Sequence, residues 1–286
     1  MTLPSRRSLI LGAGAAFITR GAQAYPPSMR NVLIFPGGRP GFNPTHIASK
    51  NAIFSGVAAG TNVIDILSGL AGTVTGAITS NIDSIIGPNT SIAQQTNEHI
   101  LFPVAQSQID TSGTMAVIGT DLNIGAIAFS FPFSVGSASS GPGVLINSTG
   151  AVNWNNWNGS NPTASVTISL TSPYFIAMSM NTITCNILAL NLHNGQILTG
   201  TSASVSQDTH NTNIVWGDSN ALNQINGSFI AAAMYSTSYL TLPQLITWAQ
   251  APWDFWYPQS VRNTIISSLG KGSVTSSHGV LLLVGH

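Results

Sequence analysis

From Tyr174 to Ser236 the chain is a succession of short β-branched, aromatic and aliphatic runs cut by asparagine and glycine turns, a spacing that suits strands and leaves no room for long helices. Tyr174 opens seven such positions, Asn181-Thr182 supplies turn chemistry, and a second run extends to His193. Two antiparallel strands are predicted. In the second, Leu188, Leu190 and Leu192 share a face because strand side chains alternate, while Asn191 and His193 fall on the other. Asn194-Gly195 predicts a tight hairpin, since both positions of such a turn take positive φ, with a return strand over residues 196–201.

Further strands are predicted over 212–217 and, after Asn226-Gly227, over 228–236. In the latter, Phe229, Ala231, Ala233 and Tyr235 face one way and Ile230, Ala232 and Met234 the other. Neither face is polar, which predicts a central strand covered on both sides. At Thr241 the pattern changes. Thr241 and Gln244 form a capping-box pair, with Leu240 and Leu245 placed as a hydrophobic staple, so a helix of two turns is expected over 242–250. Ala251-Pro252 stops it, and Trp253, Phe255, Trp256 and Tyr257 form an apolar lid.

This succession, with its V-W-G-D segment, N-G-S-F-I-A-A-A-M-Y strand, T-L-P-Q-L helix and P-W-D-F-W-Y-P ending, resembles the concanavalin A-like lectin/glucanase superfamily. More narrowly it is similar to the laminin-G-like jelly-roll domains of bacterial secreted and prophage-encoded proteins. The resemblance covers residues 43–258 and implies an all-β, antiparallel β-sandwich with one short helix near 242–250.

Composition sets the partners. The chain has 286 residues, of which 43% are hydrophobic and 6% charged, enough for one large all-β domain with a sizeable core. Formal net charge is zero, but no Lys or Arg occurs between Lys50 and Arg262, whereas every acid lies between Asp65 and Asp254. A domain without cations gives phosphate backbones no electrostatic footprint, which excludes nucleic acid and anionic membrane surfaces as expected partners. The single cysteine, Cys185, lies on an apolar strand and reads as a small buried hydrophobe.

Residues 1–24 read as an export signal: Arg6-Arg7 precede a short apolar core, and Ala22-Gln23-Ala24 offers a small-residue cleavage site. The pair resembles a twin-arginine leader, although Leu9 stands where that pattern has Phe; a Sec signal is the alternative. No segment of the mature chain approaches the length of a membrane-spanning helix. Residues 25–44 read as a linker or arm in which 32–35 could add a strand, 45–258 as the jelly-roll domain and 259–286 as a polar tail. The apolar piece at 280–284 completes the sheet, pairs with another chain or packs on a partner. Residues 79–95 are ambiguous: Ile82, Ile85 and Ile86 have helical spacing, but Gly87-Pro88 ends any helix early. Strands are expected over 100–104, 115–119, 124–135 and 144–147, with Pro132 marking an edge or a bulge.

The resemblance raises glucanase chemistry first. Retaining hydrolysis needs two carboxyl groups about 5 Å apart, and relatives carry them as E-x-D-x-x-E, a motif missing from this chain with its single glutamate, Glu98. Gly217-Asp218-Ser219 echoes some esterases, and Asp208 and His210 lie nearby, but in those enzymes the serine opens a helix of an α/β sheet; a turn is the simpler reading. Six histidines show no metal-ligand spacing. The resemblance implies calcium at loop aspartates, for which Asp208 and Asp218 are the candidates, although neither sits in an acid-rich motif. The carbohydrate-binding candidates are Trp154, Asn156 and Trp157, in a run of asparagines that could offer indole faces and amides from a loop.

The expectation is thus a non-catalytic, cofactor-free recognition module, exported to the periplasm or exterior, that binds glycan or another surface polymer. The alternative is a prophage or virion-associated decoration protein contacting other protein subunits; a hydrolase ranks third.

Overall fold

A computed structural model describes residues 42–92, 99–103, 112–122, 129–135, 142–156, 161–205, 213–217, 229–256, 273–277 and 280–284. Its strands in chain order are β1 (Ala52–Ala59), β2 (Asn62–Asp65), β3 (Thr73–Thr75), β4 (Ile78–Asp83), β5 (Gly87–Ile92), β6 (His99–Pro103), β7 (Gly113–Thr120), β8 (Phe129–Val135) and β9 (Pro142–Asn147). They continue with β10 (Ala151–Asn156), β11 (Ser165–Thr167), β12 (Tyr174–Met180), β13 (Thr184–Asn191), β14 (Ile197–Ala203), β15 (Asn213–Gly217) and β16 (Phe229–Ser236). After the helix α1 (Leu242–Ala249) come β17 (Ser273–Ser277) and β18 (Val280–Val284). The fold is an antiparallel β-sandwich with one short helix.

The first sheet has nine strands, in the order β14-β13-β12-β7-β16-β1-β2, with β5 pairing β16 beside this path and β4 pairing β5. The second has seven, in the order β11-β10-β9-β8-β15-β6-β3. Between them lies one apolar core, in which Phe54, Met115, Ile176, Met178 and Ile187 of the first sheet meet Ile100, Phe133, Val144, Trp154 and Trp216 of the second. Each such side chain contributes about 1.5–3 kcal/mol by leaving water.

The β12–β13 pair forms as the sequence predicts, in register from Tyr174 opposite Asn191 to Met180 opposite Cys185. However, β13 is buried on both faces: Ile187 and Ala189 enter the inter-sheet core, and Leu188 and Leu190 enter a second cluster outside the first sheet. The turn that follows is longer than the two-residue hairpin expected from Asn194-Gly195. The Asn191 carboxamide accepts from the His193 and Asn194 amides at 2.9 and 3.3 Å. Gly195 alone takes positive φ (77°), and its amide returns to the Asn191 carbonyl at 2.8 Å. An asparagine side chain four residues upstream thus decides the turn type.

β16 is the central strand expected, flanked by β7 and by β1 or β5, but its faces differ from simple alternation. A bulge against β7 between Ile230 and Ala232 puts Ile230 in phase with Ala233 and Tyr235, all in the inter-sheet core, while Ala231, Ala232 and Met234 face outward. One extra residue on one strand is enough to flip everything before it. Pro132 likewise sits in a bulge: β8 lies between β9 and β15, and its register with β9 shifts between Ser130 and Phe133. Of residues 79–95, those described (79–92) form a β4–β5 hairpin rather than a helix, because the Asp83 carboxylate caps the Ile85 and Ile86 amides at 2.6 and 2.8 Å and closes the turn before a helix can start.

The outer face of the first sheet is covered by α1 and the segment after it. The capping pair is present, with the Thr241 amide donating to Gln244 Oε1 at 2.8 Å, and Leu240 and Leu245 are both buried as a staple requires. Trp248, Phe255 and Trp256 lie against Phe175, Ala177, Leu188 and Leu190. The link from β16 to α1 crosses the sheet over a row of small polar side chains in register, Thr201, Asn186, Ser179, Thr114 and Ser236. Ser179 Oγ accepts from the Leu240 amide at 2.7 Å, Thr114 Oγ1 donates to the Ser238 carbonyl at 2.7 Å, and Asn186 Nδ2 donates to the Tyr239 hydroxyl at 2.8 Å. The first two bonds satisfy backbone groups that would otherwise be stranded over the sheet, and the third holds the Tyr239 hydroxyl.

β17 and β18 pair with each other as a two-stranded sheet of their own, Ser273 opposite Val284. The apolar piece at 280–284 therefore pairs with residues 273–277 of the tail rather than joining either main sheet. Among the described residues no helix is long and apolar enough to cross a membrane.

Candidate functional site

The outer face of the second sheet is assembled by register. Thr73, Leu101, Val215, Ser134, Gly143 and Asn155 are successive partners across β3, β6, β15, β8, β9 and β10. Beside this row, Leu145, Asn153 and Ser165 are partners across β9, β10 and β11, followed by Asn147, Ala151 and Thr167. The centre is buried at Val215, Ser134, Leu145 and Asn155, whereas the β11 margin exposes Ser165 and Thr167 and the β3 margin exposes Thr73 and Thr75. None of the seven strands carries Asp, Glu, Lys or Arg.

The asparagine-rich run lies on β10 rather than in a loop. Trp154 is fully buried in the inter-sheet core, together with Val152, because both fall on the inward phase of β10. It offers no face for stacking a ligand, which corrects the sequence expectation at this position. Asn156 is the last strand residue, opposite Pro142. Trp157 lies outside the described residues. Beyond Ala151, the outward residues of β10 are amides: half-buried Asn153 donates to the Ala151 carbonyl at 3.4 Å, and Asn155 accepts from Asn161 Nδ2 at 3.1 Å. That last bond joins the strand end to the chain beyond residue 160, so the two amides close the base of the segment that contains Trp157. Sequence inspection missed Asn161, since no local pattern relates two asparagines six positions apart.

The opposite end of β10 is fixed by the Asn147 side chain. Its Oδ1 accepts from the Thr149 amide, the Thr149 hydroxyl and the Ala151 amide at 3.0, 2.7 and 2.8 Å. Gly150 has φ +84°, and an added Cβ would stand 2.2 Å from the Ile168 carbonyl oxygen. Only glycine fits between that carbonyl and the turn.

Ionisable groups gather elsewhere. Asp65 is buried, and its carboxylate accepts from the Ser55, Leu67 and Ser68 amides and the Ser68 hydroxyl, the last at 2.6 Å, locking the turn after β2. Asp121 is held above the usual carboxylate range by burial and then by the charge of Asp83. His46 lies edge-on to Trp248 and Phe255 at 4.9 and 5.5 Å, and its Nδ1 accepts from the Ala48 amide at 3.1 Å. Burial there lowers its pKa from 6.5 to about 4. Cys185 is buried, and desolvation pushes its thiol up to about 12, so it stays protonated as the small apolar group expected from its strand. Among the described residues no three His, Cys, Asp or Glu side chains gather to hold a metal ion. Glu98, Asp208, His210, Asp218, Ser219, Arg6, Arg7 and Ala24 lie outside the described residues.

No protein-family model matches the chain, and no curated protein matches its sequence. Solved structures are similar in fold. The receptor-binding domain of botulinum neurotoxin type G has a TM-score of 0.52 at 14% identity over 71% of this chain and 52% of that one. Trypanosoma rangeli sialidase in complex with sialic acid has a TM-score of 0.50 at 12% identity over 73% of this chain and 34% of that one. The chain therefore spans between about a third and a half of these structures, and at such identities the likeness establishes the β-sandwich and nothing narrower.

Proposed function

We propose that this chain is an exported, non-catalytic recognition module of laminin-G/concanavalin A-like jelly-roll type, which binds glycan or another surface polymer at the β10–β11 margin of its second sheet. The observation that carries the reading is the Asn155–Asn161 amide pair. It ties together both ends of the segment bearing Trp157, beside Asn153 and the exposed Ser165 and Thr167. Amides and hydroxyls both donate and accept, which suits sugar hydroxyls, and an indole supplies an apolar ring for a pyranose face. The arginine pair at Arg6-Arg7 and the small residues ending at Ala24 support export. The likeness to a toxin's receptor-binding domain supports the reading at the level of fold.

The test is a glycan array on the full chain with and without Trp157→Ala. The expected result is binding that falls by about tenfold or more, the scale of one lost stacking contact and its hydrogen bonds. Undiminished binding in the variant overturns the site, and turnover of a sialoside or β-glucan overturns the non-catalytic reading.

A further inference from the structure

We propose that residues 42–49 form an acid-released latch over the aromatic cover of the first sheet, held shut by a neutral His46 and hinged at Lys50–Asn51. The latch lies on the face opposite the proposed glycan margin and does not depend on that reading. The segment folds on itself: Asn43 Oδ1 accepts from the Thr45 amide and hydroxyl at 3.1 and 2.8 Å, and the Asn43 carbonyl accepts from the Ser49 hydroxyl and, at 3.2 Å, from the His46 amide. Its hold on the cover is made of rings and a backbone bond. Phe42 lies edge-on to Phe255 at 5.4 Å, His46 lies against both Trp248 and Phe255, and the Asn43 amide donates to the Phe255 carbonyl at 3.0 Å. Beyond the segment the anchoring changes. The Lys50 carbonyl accepts from the Ser236 and Ser238 hydroxyls at 2.6 and 2.9 Å, and the Asn51 carbonyl accepts from the Thr237 amide at 3.1 Å, bonds between groups that do not titrate. Asn51, at φ 54°, turns the chain from there into β1 in the left-handed conformation that asparagine tolerates.

The closed position depends on the protonation of His46. Its Nδ1 accepts from the amide of Ala48, which is fully buried. A second proton on the ring makes Nδ1 a donor facing a donor, strands the Ala48 amide and sets a cation among apolar rings. The docked segment has no place for that proton, and the released segment does. The elements packed around His46 bring few other charges: α1 carries none, Lys50 is exposed, and Asp254 stands one residue before Phe255. Tyr174 and Cys185, on the strands beneath, belong to the inter-sheet core on the far side of the sheet. Burial decides the balance and lowers the His46 pKa in the closed form from 6.5 to about 4. Because the closed form binds the proton more weakly, docking is fully present above pH 6.5 and is lost as pH falls from 6.5 towards 4. The open population rises roughly fiftyfold between about pH 7 and about pH 4.5. Opening withdraws Phe42 and His46 from Phe255 and Trp248, both buried in the closed form, and presents their rings to solvent.

The experiment is amide hydrogen exchange on the full chain at about pH 7 and about pH 4.5, with rates corrected for the intrinsic effect of pH. Protection of the Asn43, His46, Ala48 and Ser49 amides should fall roughly fiftyfold at the lower pH, while β1 and β12 keep theirs. Unchanged protection over 43–49 overturns the latch, and so does an equal loss across β1 and β12, which is acid unfolding of the whole domain. Two variants assign the proton. His46→Phe keeps a ring against Trp248 and Phe255, and His46→Gln keeps an acceptor for the Ala48 amide; neither can gain a charge. In whichever of them folds, protection over 43–49 should be the same at both pH values, and a loss equal to that of the unsubstituted chain overturns the role of His46. Nuclear magnetic resonance of the His46 ring gives a readout free of substitution: a ring that titrates near pH 6.5 while 43–49 stay protected shows that the docked segment accommodates the proton, and overturns the proposal.

Discussion

The two outer faces of the sandwich solve the same problem in opposite ways. That of the first sheet is apolar apart from its one polar row and is sealed by α1, the Trp248, Phe255 and Trp256 rings and the segment around His46. That of the second is paved at its margins with amides and hydroxyls, and its seven strands carry no Asp, Glu, Lys or Arg. A covered face is a stability element and tolerates little change; an uncharged polar margin contributes little to stability and is free to be read by a ligand. The contrast also separates the tryptophans. Trp248 and Trp154 are buried structural residues, whereas Trp157 belongs to the segment closed by the Asn155–Asn161 pair.

The largest effect should come from opening the cover. Trp248→Ala leaves a cavity between α1 and β12, and denaturant unfolding should show a loss of about 3–5 kcal/mol. Sugar binding per folded molecule should persist; its loss would mean that the two faces are coupled. The next effect is titratable. His46 has a folded pKa of about 4 against 6.5, so the unfolded chain binds the extra proton between those values. Above pH 6.5 both states are neutral and nothing is lost; stability declines as pH falls through 6.5 and bottoms out near pH 4, by about 3 kcal/mol in all. A His46→Phe variant should lack this slope in unfolding experiments repeated across that range, and an unchanged slope would assign it to another group.

On the second sheet the effects should be smaller. Gly150→Ala forces a side chain into a left-handed turn and onto the Ile168 carbonyl, costing about 1–3 kcal/mol in thermal or denaturant unfolding. Asn155→Ala removes one amide pair and should cost only about 1 kcal/mol of stability. The same variant should weaken glycan binding more than it weakens the fold, which calorimetric titration at a temperature well below unfolding can separate. Equal losses in both would make the pair a structural staple with no role in recognition.

Much of the first sheet was legible because its signals are local. The alternating run from Tyr174, the Asn181 turn and the Thr241/Gln244 cap each act within a few residues, and each appears where the spacing puts it. The misreadings arise where a distant partner decides. Trp154 looked like a loop residue because its neighbours are asparagines, but pairing with β9 and β11 makes this segment a strand and turns the indole inward. The bulge at Ala231 is imposed by the register with β7, and no feature of the F-I-A-A-A-M-Y run announces it. The polar row of Thr201, Asn186, Ser179, Thr114 and Ser236 is invisible in sequence, since its members meet only when five strands align.

The sequence by itself determined the class of the protein: β-rich runs, a capped two-turn helix, an aromatic closing segment and a cation-free middle follow from residue type and spacing, which act over a few bonds. Only the tertiary structure decided which side of each strand meets water, which tryptophan is core and which asparagines join across six positions. Those choices depend on register and on which face another sheet or helix covers, and a one-residue shift in pairing reverses them.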